Sequence, residues 1–146
     1  MRTVPEWDDW FMAIAQVVAK RSKDPNTQVG CLIVHPEFQS QRSGGYNGMV
    51  AGLKETAKLW ERPTKYDYVC HAEANAVAIA ARNGSNLNGC VAYITCFPCL
   101  ACARLLLQAG IKRIVVPAGQ VSQGYLAEVA KVHKLLKTVK VPIQWL

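Results

Sequence analysis

Apolar positions recur at helical spacing near the start of the chain. Trp10, Phe11, Ile14, Val17 and Val18 fall on one face, the signature of an amphipathic helix. The preceding "TVPE" fits a capping box, with Thr3 as N-cap, Glu6 three positions on and Pro5 in the first turn. The helix is expected to end near Ser22, because Pro25 disfavours helix at Asp24. "QVGCLIVH" is a short β-branched apolar run and predicts a buried strand over residues 29–34. A second strand is expected over residues 41–46, after a polar turn at 36–40. Residues 48–67 are mixed and polar, and read mostly as loop.

An alanine-rich run then predicts a helix from Ala72 to about Asn83, closed by Gly84. "GCVAYITC" predicts a buried strand over residues 90–95. "PCLACARLLLQAG" predicts a helix with Pro98 at its start and Gly110 at its stop. "RIVVP" is a third apolar strand, and a helix is expected from about Gly124 to Leu136. "TVKVPI" alternates and suits an edge strand, where Pro142 is tolerated. Strands alternating with helices predict an α/β fold in three layers, with helices on both faces of the sheet. The three apolar strands suit its centre.

Composition narrows this further. The 146 residues predict one domain over 1–146. With 51% hydrophobic and 18% charged residues, the chain is globular rather than disordered. No apolar run approaches the ~20 residues of a membrane span. No basic stretch followed by an apolar segment opens the chain, so a cytoplasmic location is expected. The six cysteines should then be reduced. Cys96, Cys99 and Cys102 crowd one short segment, which favours metal binding over disulfides. A net charge of +7 favours anionic partners. Lys131, Lys134 and Lys137, at helical spacing, read as a solvated helix face.

The chemistry gathers at two predicted helix starts. His71 and Glu73 open one helix. Cys99 and Cys102 open another, three positions apart and so on one face. Each follows a segment expected to end at the same edge of the sheet, so the two N-termini can meet. Helix N-termini carry unpaired N–H groups and partial positive charge, which stabilise thiolates. Two thiolates and neutral His71 make a three-ligand zinc site with its fourth position open, the mark of a catalytic centre. Glu73 would face that position and move protons. "HAE" and "PCLAC" match the zinc-deaminase pattern H-x-E…P-C-x-x-C. Two alternatives stand beside it: a redox C-x-x-C pair, and a closed structural zinc completed by Cys70 or Cys96. Cys31 and Cys90 read as core, and His35 and His133 as surface histidines.

The stretches "SKDPNTQVGC", "GYNGM", "TKYDYVCHAEANAV" and "FPCLACARLLLQAGIKRI" resemble the deoxycytidylate (dCMP) deaminase family of the zinc-dependent cytidine deaminase superfamily. The resemblance runs from about Trp7 to Val116. It implies a cytidine-deaminase-like fold with a central mixed sheet of about five strands. It also implies hydrolytic conversion of dCMP to dUMP and ammonia. His71, Cys99 and Cys102 would bind zinc, and Glu73 would carry a proton from the attacking water to N3 of cytosine. Asn47 would meet the sugar, Ser22, Lys23 and Asn26 the phosphate, and the Ala72 N–H the base carbonyl, with Phe97 as a pocket wall. A homo-oligomer, commonly a hexamer, is implied. Relatives regulated by dCTP and dTTP usually carry proline after "GYNGx"; Val50 and Ala51 stand here, which weakens the expectation of those effectors. No cysteine or histidine lies between Gly48 and Val69, so one zinc per subunit is expected. A dual dCMP/dCTP deaminase, a deaminase acting on a base in RNA or DNA, and a non-catalytic zinc module are the competing readings.

Overall fold

The computed structural model describes residues 1–121 and 126–146. Its centre is a five-stranded mixed sheet in the order β2-β1-β5-β6-β7. These strands are β1 (Gly30–His35), β2 (Ser40–Tyr46), β5 (Val91–Ile94), β6 (Arg113–Val116) and β7 (Ile143–Trp145). β1 pairs antiparallel with β2 and β5, whereas β5–β6 and β6–β7 are parallel. β1 and β5 are apolar on both faces because both are covered.

One face packs on α1 (Trp7–Ala19), whose Phe11, Met12 and Ala15 meet Leu32, Val34, Val91, Tyr93 and Val115. The other face carries Cys31, Ile33, Ala92, Ile94, Ile114 and Val116. Against it lie α2 (Ala72–Asn83), α3 (Leu100–Gln108) and α4 (Leu126–Thr138). The three-layer arrangement is thus the expected one. Cys31 and Cys90 are core residues, and Lys131, Lys134 and Lys137 face solvent. No helix among the described residues is long and apolar enough to cross a membrane.

α2 lies unusually close to the sheet. Its inner face is Ala72, Ala76 and Ala80, all fully buried. A Cβ on Gly45 of β2 would stand 2.4 Å from the Ala76 nitrogen. The small residues therefore set the height of α2, and with it the position of His71. At its far end Gly84 adopts φ 66°, and the Ser85 N–H donates to the Ala80 carbonyl at 2.9 Å, which closes the helix.

Four expectations shift. The Thr3 capping box does not form: the N-cap of α1 is Glu6, with no side-chain cap. The helix start is set by packing, since Trp7 stacks on Phe11 at 5.5 Å while residues 1–6 are exposed. The region read as loop holds a two-stranded ribbon, β3 (Gly48–Met49) with β4 (Val69–Cys70), and two 3-10 turns, Ala57–Trp60 and Thr64–Asp67. α2 is therefore entered from this ribbon and not from the main sheet. α4 runs on to Thr138, so the edge strand begins at Ile143, after Lys140 turns the chain at φ 58°. The expected start of α4 at Gly124 lies outside the described residues.

Asp8 ties α1 to the sheet. Arg113 donates to both its oxygens at 2.8 Å, Tyr93 OH donates at 2.7 Å and Gln144 at 3.1 Å. The Arg113 guanidinium, helped by Tyr93 and Gln144, holds the Asp8 carboxyl below its usual range despite burial. A depressed acid pKa stabilises the fold above the unfolded value, about 4, and loses that effect as pH falls through the folded value. Asp8→Asn should therefore melt lower than wild type at neutral pH, and the gap should close on acidification. Thermal melts of both proteins across acid and neutral pH check this; a gap that widens in acid overturns it.

Candidate metal centre and cavity

Two helix N-termini meet as expected. His71 is the N-cap residue of α2 and Cys99 that of α3. Cys102 lies one turn into α3, and its N–H donates to Cys99 Sγ at 3.4 Å. His71 Nδ1 stands 3.6 Å from Cys99 Sγ and 3.5 Å from Cys102 Sγ. All three donor atoms lie within 4.8 Å of one another. A tetrahedral zinc, with Zn–S about 2.3 Å and Zn–N about 2.0 Å, separates nitrogen from sulfur by about 3.5 Å. The residues fit that ion. Among the described residues no other group of three metal-binding side chains occurs, and neither Cys70 nor Cys96 joins this one.

The electrostatics suit a cation. Hydrogen bonds from the Cys102 thiol, from His71 and from the Cys102 N–H hold Cys99 below the usual thiol range against the opposing effect of burial. Cys102 is pushed up, because it keeps the proton it shares with Cys99 and is buried beside Glu73. The Cys99 sulfur in turn holds His71 above its ordinary range. Glu73 is 4% exposed, and burial raises its carboxyl.

A cavity of about 450 Å³ opens over this cluster, within the range of small-molecule sites. His71, Ala72, Glu73 and Cys99 line one side, and Asn47 and Phe97 stand among the other walls. The Asn47 carboxamide is fixed: its Oδ1 accepts the Val29 N–H at 2.8 Å and its Nδ2 donates to the Thr27 carbonyl at 2.9 Å. Phe97 is backed by Trp145, stacked at 5.5 Å, and by exposed His133 at 5.3 Å. The C-terminal strand thus supports the cavity wall.

The "SKDPN" loop reaches the cavity through other residues than expected. Ser22, Lys23 and Asn26 do not line it; Asp24 and Thr27 do. Asp24 turns inward and accepts the N–H groups of Asn26 and Thr27 at 2.9 and 3.3 Å. That turn points Lys23 outward to Glu55, at 3.1 Å, and leaves Ser22 Oγ donating to the Asn47 carbonyl at 2.8 Å. The cations on the cavity are Arg62 and Lys65. Lys65 is 3% exposed and bonds Asp24 at 2.6 Å. Spacing alone does not mark either residue, although Lys65 lies within "TKYDYV", part of a stretch that carries the family resemblance.

Residues 5–118 match the family model of the cytidine and deoxycytidylate deaminase zinc-binding region. The chain belongs to this family. It is 47% identical over 116 residues to the deoxycytidylate deaminase of Homo sapiens, covering 75% of this chain and 64% of that one. It thus spans less than two thirds of the human protein. It is 35% identical over 126 residues to the deoxycytidylate deaminase of Mycobacterium phage D29, covering 77% and 95% of the two chains. A solved dCMP deaminase of cyanophage S-TIM5, in complex with dCMP and dUMP, shares the fold. The TM-score is 0.79 at 22% identity, over 99% of this chain and 100% of that one. The matched model describes a zinc-binding region, and zinc is the ion that the His/Cys/Cys cluster is suited to hold.

Proposed function

We propose that residues 1–146 form one zinc-dependent deaminase domain that hydrolyses dCMP to dUMP and ammonia. The observation that carries this is Glu73, a buried carboxyl beside the His71, Cys99 and Cys102 cluster on a nucleotide-sized cavity. A structural metal site has no use for such a group. The similarity to deoxycytidylate deaminases supports dCMP as the substrate. Zinc held by the three side chains supplies a Lewis acid that makes water nucleophilic near neutral pH.

The protein's own groups do the rest. Glu73 takes a proton from the attacking water and delivers it to N3, which makes C4 electrophilic. The C4–O bond forms, Glu73 then carries the proton of the new C4 hydroxyl to the amino group, and the C4–N bond breaks as the C4 carbonyl forms, which releases ammonia. A carboxyl whose pKa is raised by burial is suited to both accept and return a proton. The Ala72 N–H, at the first position of α2, lacks an intrahelical acceptor and can hold the base carbonyl. Asn47 Oδ1 keeps a lone pair for a sugar hydroxyl. Arg62, at the exposed rim, offers a planar fork to the phosphate. In this reading Ser22 and Asn26 shape the phosphate loop through Asn47 and Asp24, and Lys23 stays outside. A homo-oligomer working in the cytoplasm fits the family.

Ammonia release from purified protein tests this, with dCMP beside dCTP, CMP, deoxycytidine and a single-stranded oligonucleotide. dCMP should turn over fastest. Comparable dCTP turnover makes the enzyme dual-specific. Turnover of the oligonucleotide alone, or none with zinc bound, overturns the proposal.

A further inference from the structure

Glu128 stands in the first turn of α4, beyond the residues 5–118 that match the family model. Its Oε2 accepts the Leu100 N–H at 2.9 Å. Leu100 is the first residue of α3, so its N–H is among those with no acceptor inside the helix. Cys99 immediately precedes it, and Cys102 lies two residues on. Among the described residues, the only other N–H of this turn with a side-chain acceptor is that of Cys102, and its acceptor is Cys99 Sγ at 3.4 Å. The turn that presents both sulfurs is therefore anchored from outside by a carboxylate on a separate helix.

We propose that Glu128 is a positioning residue for the metal centre: through Leu100 it fixes the backbone that aims Cys99 and Cys102 at the ion. The inference rests on the zinc reading of the cluster and is independent of the substrate. Groups that orient metal ligands typically contribute about 10–100-fold in affinity. The bond, not the charge, is the working part, since a carboxylate near two thiolates adds repulsion. α4 thereby links the C-terminal segment to metal retention.

The test is zinc transfer from the loaded full chain to a chromogenic chelator, with chemical unfolding of each protein measured in parallel. Glu128→Ala should release zinc about 10–100-fold faster than wild type. Glu128→Gln keeps an oxygen acceptor and should stay near the wild-type rate. Leu100→Pro removes the donor at a helix position that proline suits, and should also speed release. It serves in place of Glu128→Ala if that variant does not fold. Unchanged release in the Ala and Pro variants overturns the proposal, even if their unfolding midpoints fall. Release as fast in Gln as in Ala also overturns it, because charge would then be the cause. Wild type that takes up no zinc defeats the metal reading itself, a separate result.

Discussion

Glu73→Gln should lose about 10²–10⁴-fold in kcat on dCMP while keeping its zinc. The carboxamide matches the carboxylate in shape but cannot take a proton from water. The metal should stay because Glu73 is not one of the three clustered ligands, whose donor atoms lie within 4.8 Å without it. KM should change little, since the Ala72 N–H and Asn47 are left in place. Stability should not suffer and can improve, because a carboxyl 4% exposed gives way to a neutral group. Single-turnover kinetics, metal content and a thermal melt decide the matter together. Zinc lost along with activity would make Glu73 a ligand. A near-normal rate with zinc retained would remove its proton role altogether.

The same residue explains why the site could be read from sequence. Its chemistry is local. His71 and Glu73 lie two positions apart, Cys99 and Cys102 three, and each pair opens a helix with a plain start or stop signal. Pro98 and Gly84 mark those helices without help from the rest of the chain. β1, β5 and β6 are legible for a related reason: covered on both faces, each carries a buried apolar run, broken only at the strand ends by His35 and Arg113. What failed was decided by distant packing. The Thr3 capping box is a weak local preference, about 1 kcal/mol. The stack of Trp7 on Phe11 and the Asp8–Arg113 pair, 105 residues apart, fix the start of α1 instead. β3 and β4 are two residues each, too short to carry a period. "TVKVPI" alternates, but α4 claims Thr138 and the buried Val141 packs in the core before the strand begins.

The phosphate loop shows the same limit in the site. Lys23 was a reasonable partner for an anion by charge and reach alone. The structure directs it to Glu55, because Asp24 faces inward to a lysine 41 residues away. No spacing rule connects Asp24 to Lys65. The cations on the cavity are thus assembled by the fold of the region read as loop.

Lys65→Met should destabilise the chain by about 3–5 kcal/mol, the usual cost of removing one partner of a buried ion pair. Both side chains are 4% exposed, so water cannot replace the lost ammonium. The Asp24 carboxyl is now held below its usual range. Burial opposes this, but the Lys65 ammonium and the N–H groups of Asn26 and Thr27 outweigh it. Without Lys65, burial faces only the two N–H groups and the more distant Asn47 amide, at 3.5 Å, and the Asp24 pKa should rise. An acid whose folded pKa exceeds the unfolded value costs stability as pH rises past that value. The deficit of Lys65→Met should therefore be widest near neutral pH and shrink toward acid, where Asp24 takes a proton. Asp24→Leu combined with Lys65→Met should cost less than the two single changes added, since no buried charge is left alone. The cavity should feel the loss too. Asp24 holds the turn at Asn26 and Thr27, and Thr27 holds the Asn47 carboxamide. KM for dCMP should then rise more than kcat falls. Urea unfolding of the single and double variants across pH checks the first part, and steady-state kinetics the second. A pH-independent deficit, or strict additivity, would mean that the pair contributes through packing rather than charge.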